Sequence, residues 1–534
     1  RGRGRVMLPV ADTEHQRRVA MILYQDEHWL VVDKPVGMAT HAPRPGELGV
    51  VEWLELHLGL KTHVVSRLDR ETSGVLLLAR DAAASARAQR IHEGGGARKV
   101  YEFVSDCDVA AAGLPEAWVR EDELDGKAAR TEFRRLGPAG KSWLYRAEIA
   151  RGRTHQVRRH AAASGVPILG DAEHGGAVWP RLCLHCAEVR WPEISAHLRS
   201  PRPDSFGAAV SPVVLGYALC RERRGNWIAA VSDAHRAVHR DEIGGVPASI
   251  DVYGAWFDAV WYREGATAVE AAAELAPLLE MVARGHGCSG GVVRVHRRNP
   301  HGEGLIADLV TVGETPPGKF TVSEHGLRYE ISLTKTQHTG LFLDQRDTRR
   351  RVALAAAGRR CANLFAYTCS FSVAAVAGGA EVAVSVDTAK ACLATGRVNF
   401  ELNGLAAGGR GKFVQEDVRG WLQRQLRKRE SEGEAFKPWD LVICDPPVFA
   451  SSKDGGPFTL EKEWPELARG FAMLLSRDGI AVFANNHRGG DQGRYSRQLA
   501  DAFSVVTEIG EAVDFPDANG VQPHSCTYWC SHPL

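Results

Sequence analysis

The chain has 534 residues, 44% of them hydrophobic and 25% charged, with a formal net charge of +1. Domains typically run about 100 to 200 residues, so this length excludes one ordinary domain and calls for two or three. No apolar run approaches the roughly 18 residues of a membrane span, and with so little net charge any contact with nucleic acid must rest on local basic patches.

Residues 22–34, ILYQDEHWLVVDK, read as a strand stopped by Pro35 and Gly37. DAAASARAQRIHEGGG, 81–96, reads as an Ala-rich helix that Asp81 caps and three glycines end. KVYEFV and KSWLYRAEIA are strand-like, and HLRSPRPDSFG, 197–207, has the prolines and glycine of a linker. The stretch 205–333 mixes strand-like ASIDVYGAWFDAVWY and GLRYEISL with an Ala-rich helix near 267–284, as in a smaller α+β unit. Beyond about residue 335 apolar strands alternate with helices: ANLFAYT, EVAVSVD, KFVQED, WDLVICDPP and GIAVFANN, with a helix from Thr388 to the stop at Asn403-Gly404. That rhythm predicts a doubly wound, mainly parallel sheet. The expected fold class is multidomain: a mixed-sheet α+β domain over 1–202, a small α+β domain over 203–333 and an α/β Rossmann-like domain over 334–534.

SRLDRETSG, 66–74, sets Asp69 between Arg67 and Arg70. An opposite charge within about 4 to 6 Å favours the ionised carboxylate, so the pattern suits an acid held ready to attack, as well as a solvated salt-bridged turn. Tyr101 stands on a strand beside Lys99, and 150–171 form a dense basic loop, strand and helix unit with Arg151, Arg153, Arg158 and Arg159 placed for phosphates. Over about residues 20–195, YQDEHWLVVDKPVGMATH, SRLDRETSGVLLLAR, GRTHQVRRHAAASGVPILGD and RLCLHCAEV together resemble the RluA-type family of pseudouridine synthases, which isomerise uridine in RNA. The resemblance implies that Asp69 is the nucleophile, that Tyr101 stacks on the target base, that Arg158 holds the Asp69 carboxylate and that Arg67 fills the gap left by the everted uridine. It implies no cofactor and no metal. Ser66 stands where the family usually has His. About 20 residues precede the first motif, fewer than the small RNA-binding domain many relatives carry there, so RNA selection is expected to come from elsewhere. Extruding a base costs a few kcal/mol, which stacking on an aromatic, worth about 1 to 3 kcal/mol, offsets. In CLHC, 183–186, strand alternation puts the two thiols on opposite faces, so no zinc site is expected.

In the last part polar residues recur at the carboxyl ends of strands, where open α/β sheets bind ligands: Asn363, Tyr367, Asp387, Asp417, Asp445, Asn485 and Asn486. An Asp after the second strand suits ribose hydroxyls, although each such residue also suits a helix cap. There is no GxGxxG; DPPVF, 445–449, gives instead a rigid turn with an aromatic, fit to clamp a planar base. GLFLDQRDTRR, NLFAYTCSFSVAAVAGGA, SVDTAKACLATGRVNFELNGL, DPPVFASSK and FANNHRGG resemble the guanine-N7 methyltransferase half of RlmKL-type enzymes of large-subunit ribosomal RNA, a similarity covering about 215–530. That resemblance implies S-adenosylmethionine, held by Asn363, Phe365, Tyr367, Thr368, Asp387, Asp417 and Asp445. It places the target base against Pro446, Pro447, Phe449, Asn485 and Asn486. Cys369 stands where relatives tend to have Gly, and its Cβ is expected to crowd the methionine tail. Carbon-5 of cytosine needs a cysteine to add to the ring, and relatives that do this carry Cys where this chain has Asn485 and Asn486. Guanine N7 needs only positioning; guanine N2 is the alternative. Cys444 and Cys530 read as buried strand residues.

The expectation is a two-activity enzyme of 23S ribosomal RNA, its partner RNA and not a membrane; the other class of reading is a protein in which one half only grips RNA. Eleven cysteines without framework spacing and no signal-like start lead to an expectation of reduced thiols in the cytoplasm.

Overall fold

The computed structural model describes residues 21–207, 211–296, 308–334, 338–406, 409–452, 456–487, 490–516 and 525–534. Two compact units result: one comprises residues up to Pro43, Leu48–Val231 and Glu242–Val246, the other Arg44–Glu47, Ser232–Asp241 and Pro247–Leu534. Residues 203–231, read from the sequence with the small domain, therefore group with the first unit. None of the described helices is long and apolar enough to cross a membrane.

Among the described residues the first unit is built on a ten-stranded mixed sheet. Its central strand, Ser73–Ala79, is buried at every position, as its unbroken apolar run requires, whereas Lys127–Ala139 alternates buried and exposed residues like a half-buried outer strand. Residues 22–34 form two strands, Ile22–Gln25 and Trp29–Lys34, rather than one. The Asp26 carboxylate accepts the N–H groups of His28 and Trp29 and turns the chain back on itself. Ser73–Ala79 pairs in parallel with Leu184–Arg190 at Gly74 and Cys186. A Cβ at Gly74 (φ +109°) would lie 2.2 Å from the Cys186 carbonyl oxygen, so this close approach needs glycine. Helix Ala82–Glu93 starts where expected, the Asp81 carboxylate accepting the Ala84 N–H at 2.7 Å. The 197–207 segment folds back, with Leu198–Arg199 pairing beside Leu184–Arg190. Helix Pro212–Arg224 follows, and Trp227 then packs edge-on against Trp53 with its indole N–H donating to the Asp33 carbonyl.

Among its described residues the second unit carries a five-stranded sheet in chain order from Ala234–Val238 to Leu309–Gly313, and helix Ala268–His286, opened by a reciprocal Thr267–Glu270 cap, crosses between two of its parallel strands. Among the described residues a seven-stranded sheet follows in the order Gly411–Gln415, Val382–Asp387, Arg360–Leu364, Trp439–Cys444, Leu475–Asn485, Cys526–Pro533 and Phe503–Ile509. The five strands read from the sequence are its parallel part, and Cys526–Pro533 pairs antiparallel with both of its neighbours. Strand order reverses between Arg360–Leu364 and Trp439–Cys444, the switch point at which such sheets open a crevice.

Candidate active sites

In the first unit Asp69, Arg67, Tyr101 and Arg158 all line one cleft of about 810 Å³. Side chains from outside the Asp69 motif hold its loop. The Thr40 hydroxyl accepts the Leu68 N–H at 3.2 Å and donates to the Leu68 carbonyl at 3.0 Å. Lys34, wholly buried, donates to the carbonyls of Pro35, Met38 and Arg70 at 2.9, 2.6 and 3.0 Å. Burial pushes its pKa down to about 7, while three carbonyls match the three N–H bonds of the charged form. DKPVGMAT is thus a brace for the turn that presents Asp69, whose own carbonyl accepts the Thr72 N–H.

The charges around Asp69 differ from those its neighbours in sequence suggest. Arg70 turns away and donates to the Gly37 carbonyl, and Arg67 is exposed at the cleft. The groups that face the Asp69 carboxylate, 41% exposed, are the Arg158 guanidinium and the His155 imidazole, each 4.0 Å away. Arg158 in turn is gripped by Asp171, which takes two of its N–H bonds at 2.8 and 2.6 Å, and by Glu173 at 2.9 Å. Its salt bridge is therefore with Asp171 first, and it presents the remaining nitrogen to Asp69. Asp171, which closes the motif in GVPILGD, is the residue that sequence reasoning missed. Tyr101 is 7% exposed, and burial raises its phenol pKa, so the ring is neutral. Lys99, two residues earlier on the same strand face, also lines the cleft, its ammonium pKa lowered by burial. Among the basic residues read as phosphate contacts, Arg151 and Arg153 line the cleft while Arg159 pairs with Asp125. Cys183 and Cys186 are buried, and burial pushes both thiols up to about 12.

In the second unit the switch point brings FAYTCS, at the end of Arg360–Leu364, beside DPPVF, at the end of Trp439–Cys444. Phe365, Tyr367 and Cys369 have φ of 56°, 47° and 62° and alternate with residues of negative φ. In this turn the Ala366 and Cys369 N–H groups donate to the Val386 and Ala366 carbonyls. The Asp387 carboxylate accepts N–H bonds from Tyr367 and Ala389, both at 2.8 Å, and so joins this loop to the second strand. The Thr368 hydroxyl donates to the Gly340 carbonyl at 2.7 Å, and Tyr367 packs 5.2 Å from Phe342, which stands 5.7 Å from His338. Phe365 packs 5.3 Å from Phe458. An acid after the second strand and aromatic walls fit a ligand with a ribose and a planar base. GLFLDQRDTRR supplies part of that wall, a role its Phe and its place just before the first strand signal.

Other predicted residues serve the frame. Asn363 is buried and donates to Ser372 on the helix Ser370–Ala377, which in turn bonds Ser385 of the neighbouring strand. Asp417 caps helix Val418–Glu432 and grips Arg419, the capping alternative for an acid at a strand end. Asn485 is buried and bonded to Gln492 and His487, with Asn486 exposed beside it. Pro446 is buried, Pro447 and Phe449 are exposed, and Cys444 and Cys530 are buried in their strands. Asp445 has its pKa raised to about 7, by burial first and then by the charge of Asp344, whose own pKa burial also raises. The Cys369 side chain is fully buried in the core, where a Cβ on Gly396 would meet its Sγ at 2.4 Å. The expected crowding of the ligand is replaced by a contact between helices, because the left-handed backbone turns this Cβ inward.

A family model for S-adenosylmethionine-dependent methyltransferases matches residues 289–523, and one for RNA pseudouridylate synthases matches residues 28–163. Ribosomal RNA large subunit methyltransferase K of Neisseria meningitidis is 37% identical over 262 residues, which cover 48% of this chain and 70% of that protein. Ribosomal RNA large subunit methyltransferase K/L of Pseudomonas paraeruginosa is 34% identical over 273 residues, 50% of this chain and 35% of that longer protein. The solved structure of SMU.776 with SAH is similar in fold, with a TM-score of 0.51 at 24% identity over 61% of this chain and 82% of that one. The chain thus belongs, by its C-terminal part, to the S-adenosylmethionine-dependent methyltransferase family that includes ribosomal RNA large subunit methyltransferase K, and it carries an RNA pseudouridylate synthase domain ahead of it.

Proposed function

We propose that the chain modifies large-subunit ribosomal RNA twice, isomerising uridine to pseudouridine in the first unit and methylating guanine at N7 in the second. The observation that carries the first half is the convergence of Asp69, Tyr101, Arg67 and Arg158 on one cleft. A uridine turned out of its helix stacks on Tyr101 while Arg67, at the surface, takes its place. Asp69 assists cleavage of the glycosidic bond, by attack on base or sugar or by proton abstraction; the uracil turns and rejoins the ribose through carbon, with no net gain or loss of atoms. Arg158, fixed by Asp171, keeps a positive charge before the carboxylate and orients it.

For the second half, S-adenosylmethionine supplies an electrophilic methyl group when bound. Tyr367 and Thr368 hold the tail end and Asp387 the ribose side, while Pro446, Pro447 and Phe449 seat the guanine. N7 has an exposed lone pair, so positioning is the main requirement. One observation favours N2 as a second reading: that amine must give up a proton, and Asp445, with its pKa at about 7, can take one. Mapping modified nucleotides in ribosomal RNA from cells with and without the gene tests both halves. The expected result is loss of one or more pseudouridines and one methylguanosine, and borohydride–aniline scission at the latter identifies N7. Asp69→Asn removes the pseudouridines and leaves the methylguanosine; pseudouridines that survive it overturn the role given to this acid.

A further inference from the structure

At the edge of the first cleft, which His155 itself lines, lies a cluster of metal-ligating side chains. His155 precedes helix Gln156–Ala163, and Glu173 and His174 stand in the short turn Ala172–His174 that follows Asp171. One donor atom from each lies within 4.8 Å of the others. His155 Nδ1 is 3.5 Å from His174 Nε2 and 3.5 Å from Glu173 Oε2, and His174 Nε2 is 4.0 Å from Glu173 Oε1. Tetrahedral bonds of about 2.0 to 2.2 Å place neighbouring ligand atoms roughly 3.4 Å apart; the two separations from His155 match this, while the 4.0 Å one runs to the other Glu173 oxygen.

Charge and orientation agree with the spacing. Asp69, Asp171 and Glu173 face one guanidinium, Arg158. With neutral imidazoles this group carries two negative charges in excess, the complement of a dication. His155 also points its other ring nitrogen, Nε2, at Asp69 Oδ2 from 4.0 Å. A histidine with one nitrogen toward a metal and the other toward a carboxylate is the usual arrangement of a ligating imidazole. Two imidazoles and one carboxylate suit zinc, cobalt or nickel better than magnesium or calcium.

We propose that His155, Glu173 and His174 bind a divalent transition-metal ion, and that its occupancy fixes the proton of His155 on Nε2, facing Asp69. The ion then slows uridine isomerisation, because its positive charge, one imidazole away from Asp69 across 4.0 Å, weakens the carboxylate as a nucleophile. This second clause rests on the reading of Asp69 given above; the binding does not. Titration of the full chain with Co²⁺ tests it. The expected result is one equivalent bound, with visible ligand-field bands and without the near-ultraviolet band of thiolate ligation, and displacement by Zn²⁺. His174→Ala, and Glu173→Gln, which also trades the ion pair with Arg158 for a neutral hydrogen bond, each weaken binding by more than about 10-fold. A thiolate band, or unchanged affinity in both variants, overturns the site. Saturating Co²⁺ slows pseudouridine formation in the parent chain and not in His174→Ala; equal rates with and without the ion in the parent overturn the link to Asp69. Should Asp69→Asn keep its pseudouridines, the function assignment falls while the spectroscopic result still decides the metal site.

Discussion

Thr40 holds both backbone groups of Leu68 with one hydroxyl, one residue before the acid of the first cleft. Thr40→Val keeps the shape and leaves that N–H and carbonyl without their partner, at a cost of about 1–3 kcal/mol. Denaturant unfolding should show that loss, and pseudouridine formation should fall by about 10-fold or more as the carboxylate drifts, with S-adenosylmethionine affinity unchanged. Asp445 gives a pH dependence. An unfolded aspartate titrates near 3.9, and in the folded chain its pKa stands at about 7. Between these values the folded form keeps a proton that the unfolded chain releases, so the associated stability is complete below about pH 4 and is lost as the pH rises through about 7. Melting curves of the parent and of Asp445→Asn across that range should differ in slope, the variant being flatter.

At the scale of elements, Cys369 and Gly396 make a matched pair. Gly396→Ala alone should destabilise by about 1–3 kcal/mol through overpacking, and adding Cys369→Gly should recover much of that loss, a coupling that a double-mutant cycle measures. The same pair marks where local pattern stops informing. Burial runs and caps gave the strands of the second sheet and the helix behind Asp81, since each depends on neighbours along the chain. The Asp26 turn was hidden inside an apolar-looking run because one side chain replaces the usual glycine or proline. Four residues of the first cleft were legible from their motifs, but Asp171 as the partner of Arg158, and the departure of Arg70 from Asp69, follow from folding the chain back on itself. In the second unit the ends of strands were visible in sequence; which of their polar groups face the crevice and which cap a helix or tie two strands was not, because both uses favour the same residue types.

For the whole molecule, the border of the first unit matters most. Residues beyond 202 supply Glu222, which neutralises the buried guanidinium of Arg181 at 2.6 Å, and Glu242, which does so for the buried Arg224 at 2.8 Å. A fragment ending at residue 202 strips Arg181 of its carboxylate partner and of the Phe206 ring beneath its guanidinium, leaving it hydrogen bonds to Ser73 and Leu182. It should melt lower and less cooperatively than one ending at residue 246, as calorimetry would show. Trp227 adds a reason, since its indole reaches the carbonyl of Asp33, the residue before the lysine that braces the Asp69 turn. Anyone grafting the uridine-modifying part onto a different partner must therefore carry this tail along; cut at the proline-rich stretch, the transplant would arrive with its keystone left behind.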